Sequence, residues 1–279
     1  MLTTPKHSNA RAITRLTVAV LVTLTMSVLV LGLGLLGRAS RRNALRLYYR
    51  ILLRVCGLRV GVKGCASGET PVLYASNHVS YLDIVVLGSE VLASFVSKAE
   101  VRHWPAVGWL ARQVGTIFIH RQVGQIRGQV EQLGTRLAQG DSLMLFPEGT
   151  PSDGTDLLPF KSALFAALGR AERPVVVQPV TLLYRCDARG APASAQYRAR
   201  YAWFGDGPDS DFGGHAWRML GTPGMHIQIV FHTPIDAGVE ADRKVIARQC
   251  EQAVAIPLQQ WRDAGLSTDA ELSAVKGAE

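Results

Sequence analysis

Residues 16–37 form an unbroken run of 22 positions without a charge, and nothing later in the chain matches it. Wound as a helix at about 1.5 Å per residue, such a run covers the ~30 Å hydrocarbon core of a bilayer. It predicts an N-terminal membrane helix. A secretory signal peptide would need a shorter apolar region and a small-residue cleavage site ahead of Arg38, and the sequence offers neither. The next stretch is amphipathic. Arg42, Arg46, Arg50 and Arg54 recur every four residues among Leu45, Leu47, Tyr48, Tyr49, Ile51, Leu52, Leu53 and Val55. On a helix that spacing gathers the guanidinium groups into one stripe. Beside a membrane helix it reads as an interfacial helix, with apolar side chains in the acyl layer and arginines on lipid phosphates. The plainer alternative is a helix packed on the body with solvated arginines.

Beyond residue 70 short apolar runs alternate with helical periodicity. Strands are expected at 71–76, 92–97, 115–119, 142–146, 175–183 and 226–231. Ile126, Val130, Leu133 and Leu137 recur at helical spacing within 122–139, and Gly140-Asp141 stops that helix. Further helices are expected at 161–171 and 242–261, the second interrupted by Pro257. Residues 205–224, rich in Gly, Asp and Pro, read as a loop. The alternation predicts an α/β fold, a layered body with a central, mostly buried β-sheet flanked by helices. The division that follows is an anchor plus basic helix at 1–60, a body at 61–263 and a loose tail at 264–279.

Charge adds an orientation. The formal net charge is +8, yet residues 1–60 hold ten basic residues and no acid, and all 22 acidic residues lie in the rest. Positive charge gathered at the anchor argues against a nucleic-acid binder and fits a membrane-facing end. Arg38, Arg41 and the stripe beyond them follow the apolar run, which places the body in the cytoplasm; a re-entrant or surface helix would leave both ends there. Cys56, Cys65, Cys186 and Cys250 are scattered, with no Cys-x-x-Cys and no His at ligand spacing. No metal site is expected, and the thiols read as reduced packing residues.

Polar residues cluster where strands are expected to end. The first group, Asn77-His78-Val79-Ser80-Tyr81-Leu82-Asp83, follows the 71–76 strand. An imidazole suits general-base work near neutral pH and needs a partner to fix its tautomer. On one regular helix His78 and Asp83 would sit about 140° apart. With a helix beginning at residue 80, His78 lies in extended backbone and can fold back over Asp83 on the first turn. Ser80-x-x-Asp83 also spells a capping box, a purely structural role for the same carboxylate. The second group, Gly115-Thr116-Ile117-Phe118-Ile119-His120-Arg121, brings an arginine to a strand exit. The third, Phe146-Pro147-Glu148-Gly149-Thr150, breaks an apolar run into a tight turn, with Lys161 further on. Its glycine lets a ligand approach the backbone, and N–H groups near Gly149 are candidates to hold an oxyanion or phosphate. The fourth, Val177-Gln178-Pro179-Val180, sets a proline in a strand.

In this order the four blocks resemble the glycerolipid acyltransferases, the family that acylates lysophosphatidic acid and related lysolipids. The resemblance covers residues 70–185. It implies that His78 is the general base and Asp83 its orienting carboxylate. The expected substrate-binding set is Asn77, Ser80, Lys98, Arg121, Glu148, Gly149, Thr150 and Lys161. The implied reaction moves a fatty acyl group from a thioester, on acyl carrier protein or coenzyme A, to the free hydroxyl of a lysolipid, with no metal and no further cofactor. The first expected acceptor is 1-acyl-sn-glycerol-3-phosphate, giving phosphatidic acid.

Pro151 stands where members using lysophosphatidic acid carry Arg, and Ser162-Ala163 replace a glycine. With Trp203-Phe204-Gly205-Asp206 these look closer to the lyso-ornithine lipid branch, the alternative acceptor. Expected partners are the lysolipid, the acyl thioester and membrane lipids, and no nucleic acid. The expected place is a bacterial inner membrane, with the body on its cytoplasmic face. Two rival readings remain in view. Gly140-Asp141-Ser142-Leu143 matches an esterase nucleophile signature, without an Asp-x-x-His to complete a triad. A non-catalytic lipid-binding protein would have no need of both His78 and Asp83.

Overall fold

The computed structural model describes residues 7–34, 38–103, 108, 111–112, 115–119, 126–203, 211–238 and 242–263. Two helices open the chain, α1 (Asn9–Gly34) and α2 (Arg38–Cys56), packed on each other as a hairpin. Then come β1 (Leu58–Lys63), β2 (Val72–Ser76), α3 (Leu82–Gly88), β3 (Ser94–Lys98), β4 (Ile117–Ile119), α4 (Ile126–Ala138) and β5 (Leu143–Leu145). A 3-10 helix (Leu164–Arg170) leads to β6 (Val175–Asp187), and α5 (Phe212–Gly221), β7 (Met225–Phe231), β8 (Ile235–Ala237) and α6 (Arg243–Asp263) complete the described chain.

Among the described residues the strands form one sheet in the order β1-β7-β6-β2-β5-β3-β4, with β8 also on β6. The pairings are parallel except where β7 and β8 run antiparallel to β6. All of β2 and β5 is buried, and nearly all of β6, as continuous apolar runs covered on both faces demand. Alternation along β6 divides its side chains. Val180, Leu182 and Tyr184 join the core with Leu82, Val86 and Leu87 of α3, while Val175, Val177 and Leu183 join Leu133 and Leu137 of α4 and Cys250 and Val254 of α6. The body is the expected layered α/β fold.

Several elements differ from expectation, each for a local reason. β1 was hidden by Gly61 and its exposed edge position, and it straddles the division expected at residue 60. Residues 205–224 are not all loop: Asp211 accepts from Gly213 N and Gly214 N and so caps α5, whose glycines disguised it. The segment expected as a helix at 161–171 holds a 3-10 helix, which sets the buried Phe165 and Leu168 three apart on one side. Pro257 does not interrupt α6, which runs through it. Pro179 sits opposite Ala75 inside β6, where its carbonyl accepts from His232 N in the link between β7 and β8. Its missing N–H therefore falls at a gap between two strands, and no ladder bond is lost.

The hairpin stands on the body at both ends. Ser8 N donates to Gly221 O, and Arg11 Nη1 to the same carbonyl. Arg15 donates to the carbonyls of Leu220, Thr222 and Pro223, so two arginines satisfy the C-terminal end of α5. α2 packs Ala44, Tyr48 and Tyr49 against Met26 and Val30 of α1, and Gly88 of α3 leaves room for the Tyr49 ring. Of the apolar residues of α2, Tyr48, Tyr49 and Leu53 meet protein, while Leu47 is 49% exposed. Arg46 donates to Glu90 O, and Arg50 lies 3.9 Å from the Glu90 carboxylate. More exposed apolar surface lies on α1, where Leu21, Leu24 and Val28 are 59%, 61% and 74% exposed. A helix of 22 residues, Asn9–Val30, is long and apolar enough to cross a membrane.

Candidate active site

β2 ends at Ser76, and the chain turns through residues 77–81 into α3. Tyr81, not Ser80, occupies the cap position, and no side chain caps there. The helix start is instead held from inside. Asp83 Oδ2 accepts from Val79 N at 2.7 Å and from Ser80 N at 3.0 Å, and lies 2.7 Å from His78 Nδ1. The capping-box and catalytic readings of Asp83 are thus one arrangement. The other oxygen, Oδ1, accepts from Tyr184 O–H at 2.7 Å. Asp83 is fully buried, and its two oxygens accept from Val79 N, Ser80 N and the Tyr184 hydroxyl besides lying against His78.

A neutral imidazole that donates to this carboxylate does so from Nδ1 and keeps its lone pair on Nε2. The His78 side chain is 17% exposed and stacks on Phe146, with centroids 4.1 Å apart and planes 18° from parallel. The carboxylate and the Phe146 ring together set the orientation of the imidazole. On the far side of this loop Tyr81 meets Phe212 and Trp203 edge-on, and its hydroxyl lies 3.2 Å from His215 Nδ1.

Glu148 comes from the turn after β5 and is buried. Its Oε1 accepts from His78 N at 2.7 Å and its Oε2 from Leu158 N at 3.0 Å, so one carboxyl ties the catalytic loop to the 150s loop. Ser152 N donates to His78 O and closes the same junction. Burial pushes the Glu148 carboxyl up to about 7; the two N–H donors oppose that rise and the nearby Asp83 charge adds to it. The folded state therefore binds this proton more tightly than the unfolded chain, whose glutamate titrates near 4.5. The stabilisation is complete below about 4.5 and is lost as pH rises through about 7. Glu148→Gln is expected to be less stable throughout, having lost one acceptor, and to show a weaker fall of stability between pH 5 and 7. Denaturation midpoints across that range, for both forms, check this.

The remaining expected residues fall into distinct positions. Gly149 takes φ +77°, and its N–H donates to Phe146 O, so that group is already committed. Thr150 N–H has no acceptor among the described residues. Lys161 is exposed, and its ammonium lies over Gly149, where a Cβ would come within 2.9 Å of Nζ. Asn77, expected at substrate, is buried, with Oδ1 accepting from Leu182 N and Nδ2 donating to Leu182 O. Its amide stands in for a strand partner beyond the end of β2. Ser80 is buried, with its hydroxyl unpaired and its N–H on Asp83. Lys98 ends β3, its side chain outside the description, and Arg121 lies outside the described residues.

Ser142, the serine of the esterase-like tetrapeptide, sits at the opposite end of β5 from Glu148, where its Oγ accepts from Val72 N. Tyr184 lies outside every expected motif, and its trace in the sequence is a hydroxyl in the otherwise apolar face of 180, 182 and 184. Phe146, Tyr81 and Trp203 stand inside the quoted segments, where nothing in their spacing shows that they stack around the His78 loop.

The site is thus a part-exposed imidazole held by a buried carboxylate at the loop that follows β2, beside the turn after β5. The known proteins say which kind of site this is. The description "Acyltransferase" matches residues 59–183. A lyso-ornithine lipid O-acyltransferase of Brucella abortus is 36% identical over 225 residues, 78% of this chain and 83% of that protein. A 1-acyl-sn-glycerol-3-phosphate acyltransferase of Neisseria gonorrhoeae is 30% identical over 202 residues, 71% and 73% of the two chains. The fold is that of the crystallised 1-acyl-sn-glycerophosphate acyltransferase of Thermotoga maritima, with a TM-score of 0.61, 21% identity, and 89% of this chain and 98% of that one covered. The chain belongs to the acyltransferase family, and its activity is that of a lysolipid acyltransferase.

Proposed function

We propose that this enzyme moves a fatty acyl group from a thioester of acyl carrier protein or coenzyme A to the free hydroxyl of a lyso-ornithine lipid. The observation that carries the chemistry is the His78–Asp83 contact through Nδ1, on a side chain that is 17% exposed and has Nε2 to spare. Nε2 takes the hydroxyl proton as the acceptor oxygen attacks the thioester carbonyl, and Asp83 holds the imidazolium that forms. The tetrahedral oxyanion then collapses, the C–S bond breaks, and the proton passes to the leaving sulfur. Thr150 N–H is the donor we assign to the oxyanion. No protein nucleophile is needed, because the acceptor supplies its own.

Lys161 suits an anionic group of the acceptor, which an ornithine carboxylate provides as well as a phosphate does. Pro151 and the greater identity to the lyso-ornithine enzyme favour the carboxylate over the phosphate acceptor that the motifs first suggested. The exposed face of α1 supports a membrane-bound enzyme. Both ends of the hairpin rest on the body, which favours entry into the cytoplasmic leaflet and exit on the same side. Lysolipid then reaches His78 sideways from the bilayer.

Membranes carrying the protein, given a labelled acyl thioester with lyso-ornithine lipid or with lysophosphatidic acid, test this by product mass. Diacyl ornithine lipid formed only when the protein is present is expected. Phosphatidic acid alone would replace the acceptor, and no product from either would overturn the reading.

A further inference from the structure

We infer that Tyr184 is a positioning residue of the active site, completing a three-member chain from His78 through Asp83 to a buried phenol. The inference rests on His78 as the base. It starts from the length of β6, which pairs with β2 from Val176 to Val180 and continues to Asp187. The overshoot is held in register by Asn77, whose amide takes both backbone groups of Leu182. Two residues on, Tyr184 points to the same face and its hydroxyl meets Asp83 Oδ1 at 2.7 Å, on the oxygen that His78 does not use. Tyr184 is fully buried. Burial pushes its phenol well above the usual range and the Asp83 charge pushes it further, so the O–H stays a donor at every working pH.

The consequence is electrostatic. A donor on Oδ1 spreads the carboxylate charge away from Oδ2, the oxygen that faces Nδ1. The pull on the imidazolium is thereby moderated, and Asp83 cannot swing to offer its other oxygen. The charged and titratable groups around this carboxylate are His78 on the loop, Tyr184 on β6, Tyr81 at the start of α3, and Glu148 from the turn after β5. Among the described residues only Tyr184 and His78 reach it with a side-chain hydrogen bond. Without the phenol the ionised carboxylate relies more on the imidazole for a donor, so the His–Asp pair holds an added proton more tightly.

The test is Tyr184→Phe in membranes, which keeps the ring and removes one oxygen. The expected result is kcat lowered about tenfold with KM for the lysolipid unchanged, because a carboxylate free to swing no longer aims the imidazole, an effect on the chemical step and not on binding. The acid limb of the kcat/KM profile is expected to move to higher pH. In the Asp83→Asn background the same change is expected to cost about twofold or less, because a residue acting through Asp83 has lost its partner.

A wild-type profile with wild-type kcat overturns the inference, and so does an equal fold-loss in both backgrounds. The shape of a pH profile does not depend on how much of the variant folds, so reduced yield does not spoil the reading. Full activity in His78→Ala would instead bring down the base assignment itself, which separates the two failures.

Discussion

His78→Ala is expected to lower kcat about a thousandfold, the usual worth of a positioned general base. The enzyme should remain folded. Asp83 keeps Val79 N, Ser80 N and the Tyr184 hydroxyl as donors when the imidazole is gone, so no buried carboxylate is orphaned. Phe146 loses a stacking partner at a partly exposed position, a small cost. Initial rates with labelled thioester, beside the thermal midpoint of the same preparation, separate lost chemistry from lost structure. A rate within tenfold of wild type would remove His78 from the mechanism.

Asp83→Ala is expected to fail in both respects. Its turnover should fall by about 10⁴, as when an imidazole loses the carboxylate that sets its tautomer. It also strips the acceptor from three buried donors at once. Leaving a buried donor unsatisfied costs about 1–3 kcal/mol, so the loss of stability should reach about 3 kcal/mol or more. Asp83→Asn keeps the volume and one acceptor oxygen. It should therefore match the alanine variant in activity while keeping more of the stability. Denaturant midpoints for the pair show the difference, and an Asp83→Ala protein as stable as wild type would contradict the hydrogen-bond set described for α3.

The contact between these two residues was legible in the sequence because it is local. Five positions apart, at a strand exit, an imidazole and a carboxylate can meet through one loop. Tyr184 was not legible, since it reaches Asp83 only because β6 outruns β2 and Asn77 holds the overshoot in register. The backbone role of Asn77 was hidden for the same reason, since its partner Leu182 is named only by the strand pairing. The sheet was readable from its continuous apolar runs. β1 and α5 were not, because an exposed edge strand and a glycine-opened helix carry weak patterns. For α2 the arginine stripe was readable, but the protein neighbours of Tyr48, Tyr49 and Leu53 were not, since no periodicity names them.

The hairpin held to the body at both ends has a consequence for how the enzyme should be assayed. In the proposed reading a rigid mount keeps the catalytic opening at one height above the leaflet, and diffusion toward it is two-dimensional. Rate is then governed by the mole fraction of lysolipid in the surface. Adding inert lipid or detergent at constant total substrate should slow turnover, as though an inhibitor had been added.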